Sequence, residues 1–194
     1  MSRLPGTNPT LDASRERSSG WRARIDELQR LELALVRSQA RLGRVTWVRP
    51  LALALNHLGN GWLYPLLAAL LLWLTPRDFL SITLMAGGAA ATAHLVYPSL
   101  KRFIARIRPC ELDPAMPPLL AVLDRYSFPS GHCMTVTAVA IPVVVAVPAL
   151  TIPAVTGCLL IAWGRLLAAH HYPSDLLAGV ALGAVAAIPA TLFL

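Results

Sequence analysis

The stretch GRLLAAHHYPSD, residues 164–175, sets His171 four residues before Asp175, with Arg165 upstream. Across a Pro173 that suits a helix start, such a carboxylate can accept the proton on one imidazole nitrogen. The other nitrogen is then free as a nucleophile. Arg165 stands roughly one turn inside an apolar segment, where a charge is costly and marks a candidate functional residue. The stretch PSGH, residues 129–132, opens another apolar run. Ser130 offers a hydroxyl and Gly131 an unshielded amide. Both stand where a helix N-terminus has unpartnered N–H groups and a partial positive charge, which suits an anion. His132 follows as a candidate proton donor to a leaving oxygen. In KRFIARIRP, residues 101–109, Lys101 and Arg108 are seven apart. On a continuous helix they share one face, and an ammonium beside a guanidinium suits a multiply charged oxyanion.

Each stretch has a plainer reading: a basic flank of a spanning helix, a helix cap, an acid at a helix start. Together they supply three cations, a helix-terminus anion site, two histidines and an orienting carboxylate. That set fits phosphoryl transfer through a histidine. No metal is expected, because the histidines lack compact spacing with carboxylates and three adjacent cations repel a divalent ion. No cofactor is expected either. Cys110, Cys133 and Cys158 have no metal-binding spacing and read as free thiols.

The elements that must position these groups read as membrane helices. The 194 residues are 56% hydrophobic and 14% charged, where a soluble domain has about 25% charged residues. Residues 1–49 carry ten arginines and five acids. This basic block reads as a topology signal rather than a nucleic-acid surface, so no nucleic-acid partner is expected. Residues 1–20 are polar and read as disordered. From Trp21, the positions Ile25, Leu28, Leu31 and Leu35 recur at steps of three and four, which predicts an amphipathic helix within 21–49. It suits lipid headgroups, the body of the protein, or a second copy in a homo-oligomer. Five spans follow within 50–194: Leu51 to Leu74, Phe79 to Tyr97, His132 to Leu150, Ile152 to Ala169, and Pro173 to Leu194. Each has about 18 to 24 residues, enough at about 1.5 Å per residue to cross about 30 Å of hydrocarbon. The run AGGAAATA in the second span predicts close helix packing. The fold class is therefore an all-α integral membrane bundle of about five helices with an N-terminal amphipathic helix. By counting helices, the charged loop 98–131 and the turn near His171 share one membrane face.

At these residues the chain resembles the type 2 phosphatidic acid phosphatase superfamily, which shares its site design with vanadium haloperoxidases. The family pattern of Lys-x6-Arg-Pro, Pro-Ser-Gly-His and Ser-Arg-x5-His-x3-Asp is met by Lys101, Arg108 and Pro109, by Pro129 to His132, and by Arg165, His171 and Asp175. Gly164 stands where the family usually has Ser. The resemblance implies that His171 attacks phosphorus and Asp175 orients it. His132 would protonate the leaving group and then activate water. Lys101, Arg108, Arg165, Ser130 and Gly131 would hold the phosphoryl oxygens. It implies a metal-independent hydrolase of a lipid phosphate monoester or diphosphate, on a polyprenyl or glycerolipid tail, working through phosphohistidine. A lipid phosphotransferase or haloperoxidase-like use of the same site is one alternative. A non-catalytic protein that binds anionic lipid is another. His170, beside His171, is expected to point elsewhere, and residues 56–65, NHLGNGWLYP, are expected to line a substrate groove. Many relatives are thought to have six spans and an outward-facing site. Five spans and a basic N-terminus instead put this site on the cytoplasmic side of a bacterial cell membrane.

Overall fold

A computed structural model of the chain describes residues 9–122 and 124–192. Those residues form an all-helical bundle, with one isolated antiparallel bridge between Ile107 and Tyr126. Helix α1 spans Pro9–Leu42. Then come α2 (Arg49–His57), a π-helical turn (Leu58–Trp62) and α3 (Leu63–Leu74), followed by α4 (Phe79–Ile104) and the short α5 (Pro109–Leu112). The chain ends with α6 (Gly131–Ala146), a 3₁₀ turn (Pro148–Leu150), α7 (Thr151–Leu167) and α8 (Pro173–Thr191). Part of the segment expected to be disordered is thus helical, from Pro9 onward. Residues 1–8 of it, and residues 193–194 of the expected last span, lie outside the described residues.

Among the described residues, four stretches are long and apolar enough to cross a bilayer: Arg49–Leu74, Phe79–Ile104, Pro148–Leu167 and Pro173–Thr191. The expected third span is shorter. Helix α6 has 16 residues, about 24 Å at about 1.5 Å per residue, because Val147 leaves the helical conformation ahead of Pro148. Its shortness matches its place. It packs at the centre, between α4, α7 and α8, with Met134, Ala138 and Val143 fully buried.

The closest helix approach is between α6 and α8. A Cβ at Gly179 would come within 2.6 Å of the Ser130 carbonyl, and one at Gly183 within 2.3 Å of the Met134 carbonyl. The run AGGAAATA behaves differently from expectation. Ala86, Ala89 and Ala93 are buried against neighbouring helices, while Gly87 and Gly88 meet nothing within 4 Å. On a helix of 3.6 residues per turn, only one stripe of that run can face the partner.

Helix α1 is two-faced as its periodicity predicts, with the leucine stripe turned outward. Leu28, Leu31 and Leu35 are 56%, 59% and 45% exposed, whereas Glu32, Val36 and Ala40 pack inward. The leucine stripe does not cover the protein body, which leaves lipid or a second copy to cover it.

Gly183→Val should force α6 and α8 apart and cost about 1–3 kcal/mol, as overpacking generally does. Thermal unfolding in detergent should show a lower midpoint for this variant and none for Gly88→Ala. Equal midpoints for Gly183→Val and the parent would refute the close packing described.

Candidate active site

Two left-handed residues build the site loops. Ala105 (φ 51°) ends α4, its N–H donating to the Lys101 carbonyl at 2.8 Å, and Ala169 (φ 57°) ends α7. The turn at Ala105 is why Lys101 and Arg108 do not share a helix face as their spacing predicts. Lys101 stays on α4, while Arg108 is the extended residue that begins α5. They meet instead through Asp124. Lys101 Nζ donates to both Asp124 carboxylate oxygens (2.9 and 3.0 Å) and to the Tyr126 carbonyl (2.9 Å). Arg108 donates to the same carboxylate (2.7 Å), to the Asp124 carbonyl (2.9 Å) and to the His170 carbonyl (2.7 Å). Burial raises the Asp124 pKa, but the two cations outweigh it and hold the carboxyl below its ordinary range. Lys101 and Arg108 are 5% and 3% exposed, so an internal anion stands where their charge needs one.

Arg165, 2% exposed, donates from Nη2 to the Asn56 carbonyl (2.9 Å) and to Asn60 Oδ1 (3.2 Å). Its buried Nε has no partner among the described residues. Asn60 Oδ1 also pairs with His132 Nε2 at 2.8 Å. The turn between α2 and α3 therefore joins His132 to Arg165. Gly61 (φ 126°) makes that turn, and Gly59 lets it approach, since a Cβ there would lie 2.7 Å from Arg165 Nη2. Gly164 has a physical reason as well. A Cβ at that position would stand 3.0 Å from Leu55, where α7 packs on α2.

His171 is 2% exposed, and its Nδ1 lies 2.8 Å from the Ser127 carbonyl. A carbonyl only accepts, so the proton sits on Nδ1 and Nε2 keeps its lone pair. The expected hydrogen bond from His171 to Asp175 is absent, the separation being 3.6 Å. Asp175 is drawn elsewhere, because an acid at the third position of a helix meets the unpartnered amides of its first turn. Its Oδ2 accepts from the Tyr172 amide (2.8 Å) and its Oδ1 from Arg106 (2.7 Å). The carboxylate faces the ring as a nearby charge. Burial, with Arg108 and Lys101 adding to it, holds the His171 imidazole well below its ordinary range, so the ring is neutral and able to attack. His170 points elsewhere, its Nε2 lying 3.1 Å from the Leu120 carbonyl, and burial pushes its pKa down to about 4.

Ser130 is not among the residues that line the cavity into which the other expected phosphate ligands open. It is fully buried, its Oγ accepts from the Cys133 amide (3.4 Å), and its own amide donates to the Asp175 carbonyl (3.0 Å). The other groups converge. One cavity of about 1010 Å³ is lined at its polar end by Lys101, Arg108, Asp124, Gly131, His132, Arg165 and His171. It continues between α3 and α4 past Leu67, Leu71, Ala86 and Ala90. Asn60 and Tyr64 line it too, so the segment 56–65 reaches the cavity as expected. Arg106, Glu32 and Asp124 were not singled out by the sequence, because their spacing to the motifs encodes no contact. Among the described residues no three His, Cys, Asp or Glu side chains gather in a way that could hold a metal.

A helical membrane bundle with three cations and two histidines at the head of an apolar-walled cavity suits an enzyme acting on phosphorylated amphiphiles. Residues 79–194 match the PAP2 superfamily, and the chain belongs to it. Decaprenylphosphoryl-5-phosphoribose phosphatase of Mycobacterium tuberculosis is 36% identical over 141 residues, covering 69% of this chain and 73% of that protein. The phosphatase of the same name from Mycolicibacterium smegmatis is 33% identical over 156 residues, covering 76% and 80%. The PAP2-type phosphatidylglycerolphosphate phosphatase of Bacillus subtilis superposes with a TM-score of 0.65 at 27% identity over 86% of each chain. Aquifex aeolicus LpxE superposes at 0.69 with 22% identity, over 82% of this chain and 94% of that one, a likeness of fold.

A histidine whose folded pKa lies below its unfolded value of 6.5 binds fewer protons when folded, so stability falls as pH drops from about 6.5 towards 4. His170→Gln keeps a donor for Leu120 and removes that titration. Its thermal midpoint in detergent should fall less between pH 7 and pH 5 than the parent's. Parallel declines would show that His170 is not the depressed group.

Proposed function

We propose that this membrane lipid phosphatase hydrolyses a phosphate monoester on a polyprenyl phospho-sugar or related lipid, through phosphohistidine. The observation that carries the reading is the convergence of Lys101, Arg108, Arg165, His132 and His171 on the head of one apolar-walled cavity. The names of the mycobacterial relatives support the polyprenyl phospho-sugar class.

In this reading the substrate phosphate takes over from the Asp124 carboxylate as partner of Lys101 and Arg108. It also meets the free Nε of Arg165 and the Gly131 amide at the start of α6. His171 Nε2 attacks phosphorus as the bond to the ester oxygen breaks. His132, released from Asn60 and entering the step as imidazolium, gives one proton to that oxygen and becomes neutral. It then takes a proton from water, whose oxygen attacks phosphorus while the phosphorus–nitrogen bond breaks. Inorganic phosphate leaves and both imidazoles return to their starting forms. The Ser127 carbonyl holds the tautomer, and Asp175 offsets the positive charge that develops on the ring. The apolar walls hold the lipid tail.

The site end of the bundle carries Arg37, Arg41, Arg44, Arg102 and Arg125, while the opposite turn between α3 and α4 carries Arg77 beside Asp78. That asymmetry supports a cytoplasm-facing site.

His171→Ala should abolish phosphate release from lipid phosphates in detergent micelles, with EDTA leaving the parent enzyme unaffected. Across a panel, a polyprenyl phosphoribose phosphate should be turned over faster than phosphatidylglycerolphosphate. Activity retained by His171→Ala would overturn the mechanism, and the reverse substrate order would overturn the substrate class. A cysteine placed at Asp113 should resist an impermeant thiol reagent in intact cells. Its rapid labelling would put the site on the outer face.

A further inference from the structure

The N-terminal helix reaches into the support of the nucleophile. Glu32, on the inward face of α1, is 7% exposed, and both its carboxylate oxygens are used. Oε2 accepts from Arg106 Nη2 (2.7 Å), and Oε1 accepts from the Ser174 amide in the first turn of α8 (2.7 Å). The Arg106 Nη1 group donates to Asp175 Oδ1 and Ser174 Oγ, each at 2.7 Å. Its guanidinium lies over the Tyr172 ring, 3.9 Å from the centroid. Asp175 is fully buried and stands 3.6 Å from His171 Nδ1.

We propose that Glu32, acting through Arg106, is a positioning residue for Asp175 and His171, so that the N-terminal helix is a working part of the phosphatase site. The inference rests on the reading of His171 as nucleophile. Three features carry it. First, the path is continuous and made of charge-assisted hydrogen bonds, the kind that fixes geometry most firmly. Second, the planar fork of Arg106 is held on three sides, by Glu32, by Asp175 with Ser174, and by the Tyr172 face. At 21% side-chain exposure it borders solvent, so losing Glu32 removes one of the holds that keep it turned inward. Third, the charges balance only with Glu32 present. His171 faces Lys101, Arg108, Arg165 and the His132 and His170 rings, and Asp175 stands beside it as counter-charge. An uncompensated Arg106 would cancel that counter-charge, whereas Glu32 offsets Arg106 and leaves Asp175 negative towards the ring.

Glu32→Gln is the sharpest test, since its amide oxygen can still accept from the Ser174 N–H while its NH₂ group turns a donor towards Arg106. In the full-length protein, kcat for lipid phosphate hydrolysis should fall on the order of ten- to a hundredfold, as for a misplaced catalytic group. KM should stay within about threefold, because the phosphate ligands are untouched. Arg106→Gln should give a similar loss, and the double variant should lose no more than either single one, since both cut the same path. Protection of Glu32→Gln against thermal unfolding by inorganic phosphate should match the parent's. If Glu32→Gln does not fold, Arg106→Lys is read the same way, because one ammonium cannot hold all the acceptors of the guanidinium. Parent-like kcat in Glu32→Gln, with His171→Ala inactive, would overturn this inference and leave the mechanism standing. Additive losses with a raised KM and lost phosphate protection would also overturn it, as the mark of general damage. Activity in His171→Ala would overturn both.

Discussion

Cations brought out of water need partners, and this bundle gathers four at one end: Lys101, Arg106, Arg108 and Arg165. The site follows from how each is balanced. Asp124 bridges Lys101 and Arg108, and Glu32 with Asp175 brackets Arg106. Arg165 is held through Nη2 by the Asn56 carbonyl and Asn60, and its buried Nε has no partner among the described residues. The partners come from α1, the α2–α3 turn, the loop before α6 and the start of α8. Partnering these cations therefore ties four separate parts of the chain to one rim. Of the three carboxylates, Asp124 alone is exposed, and the Arg165 Nε is the buried cation atom without a partner among the described residues.

Positioning rests on the glycine contact between α6 and α8. Because Gly179 and Gly183 let the helices touch, the Ser130 amide reaches the Asp175 carbonyl, and the start of α6 is tied to the start of α8. Those two starts carry His132 and Asp175. The Ser127 carbonyl, just ahead of α6, holds His171 Nδ1. The two histidines are thus referenced to one pair of helices.

The cavity reconciles a polar reaction with an apolar surrounding. Its polar head lies at the end of the bundle, and its walls descend between α3 and α4 towards the hydrocarbon. An amphiphile can therefore enter with its phosphate at the rim and its tail in lipid. The exposed leucines of α1 lie at the same end, which fits a helix resting on the headgroups above the site.

Periodicity and motif spacing alone determined the helical membrane class and, in outline, the packing role of the small residues and the residues that line the polar head of the cavity, Asp124 excepted. These are local properties, carried by hydropathy over a span and by side chains a fixed step apart. Sequence could not decide how the chain turns between elements. The left-handed Ala105 takes Arg108 off the Lys101 helix face. The capping demand of α8 draws Asp175 from His171 to Tyr172 and Arg106, and the cap of α6 occupies Ser130. Nor could it pair Glu32 with Arg106, 74 residues away, or Asn60 with His132, 72 away. Such contacts form only when packed helices bring distant charges and unpartnered amides within reach, and no local pattern encodes that distance.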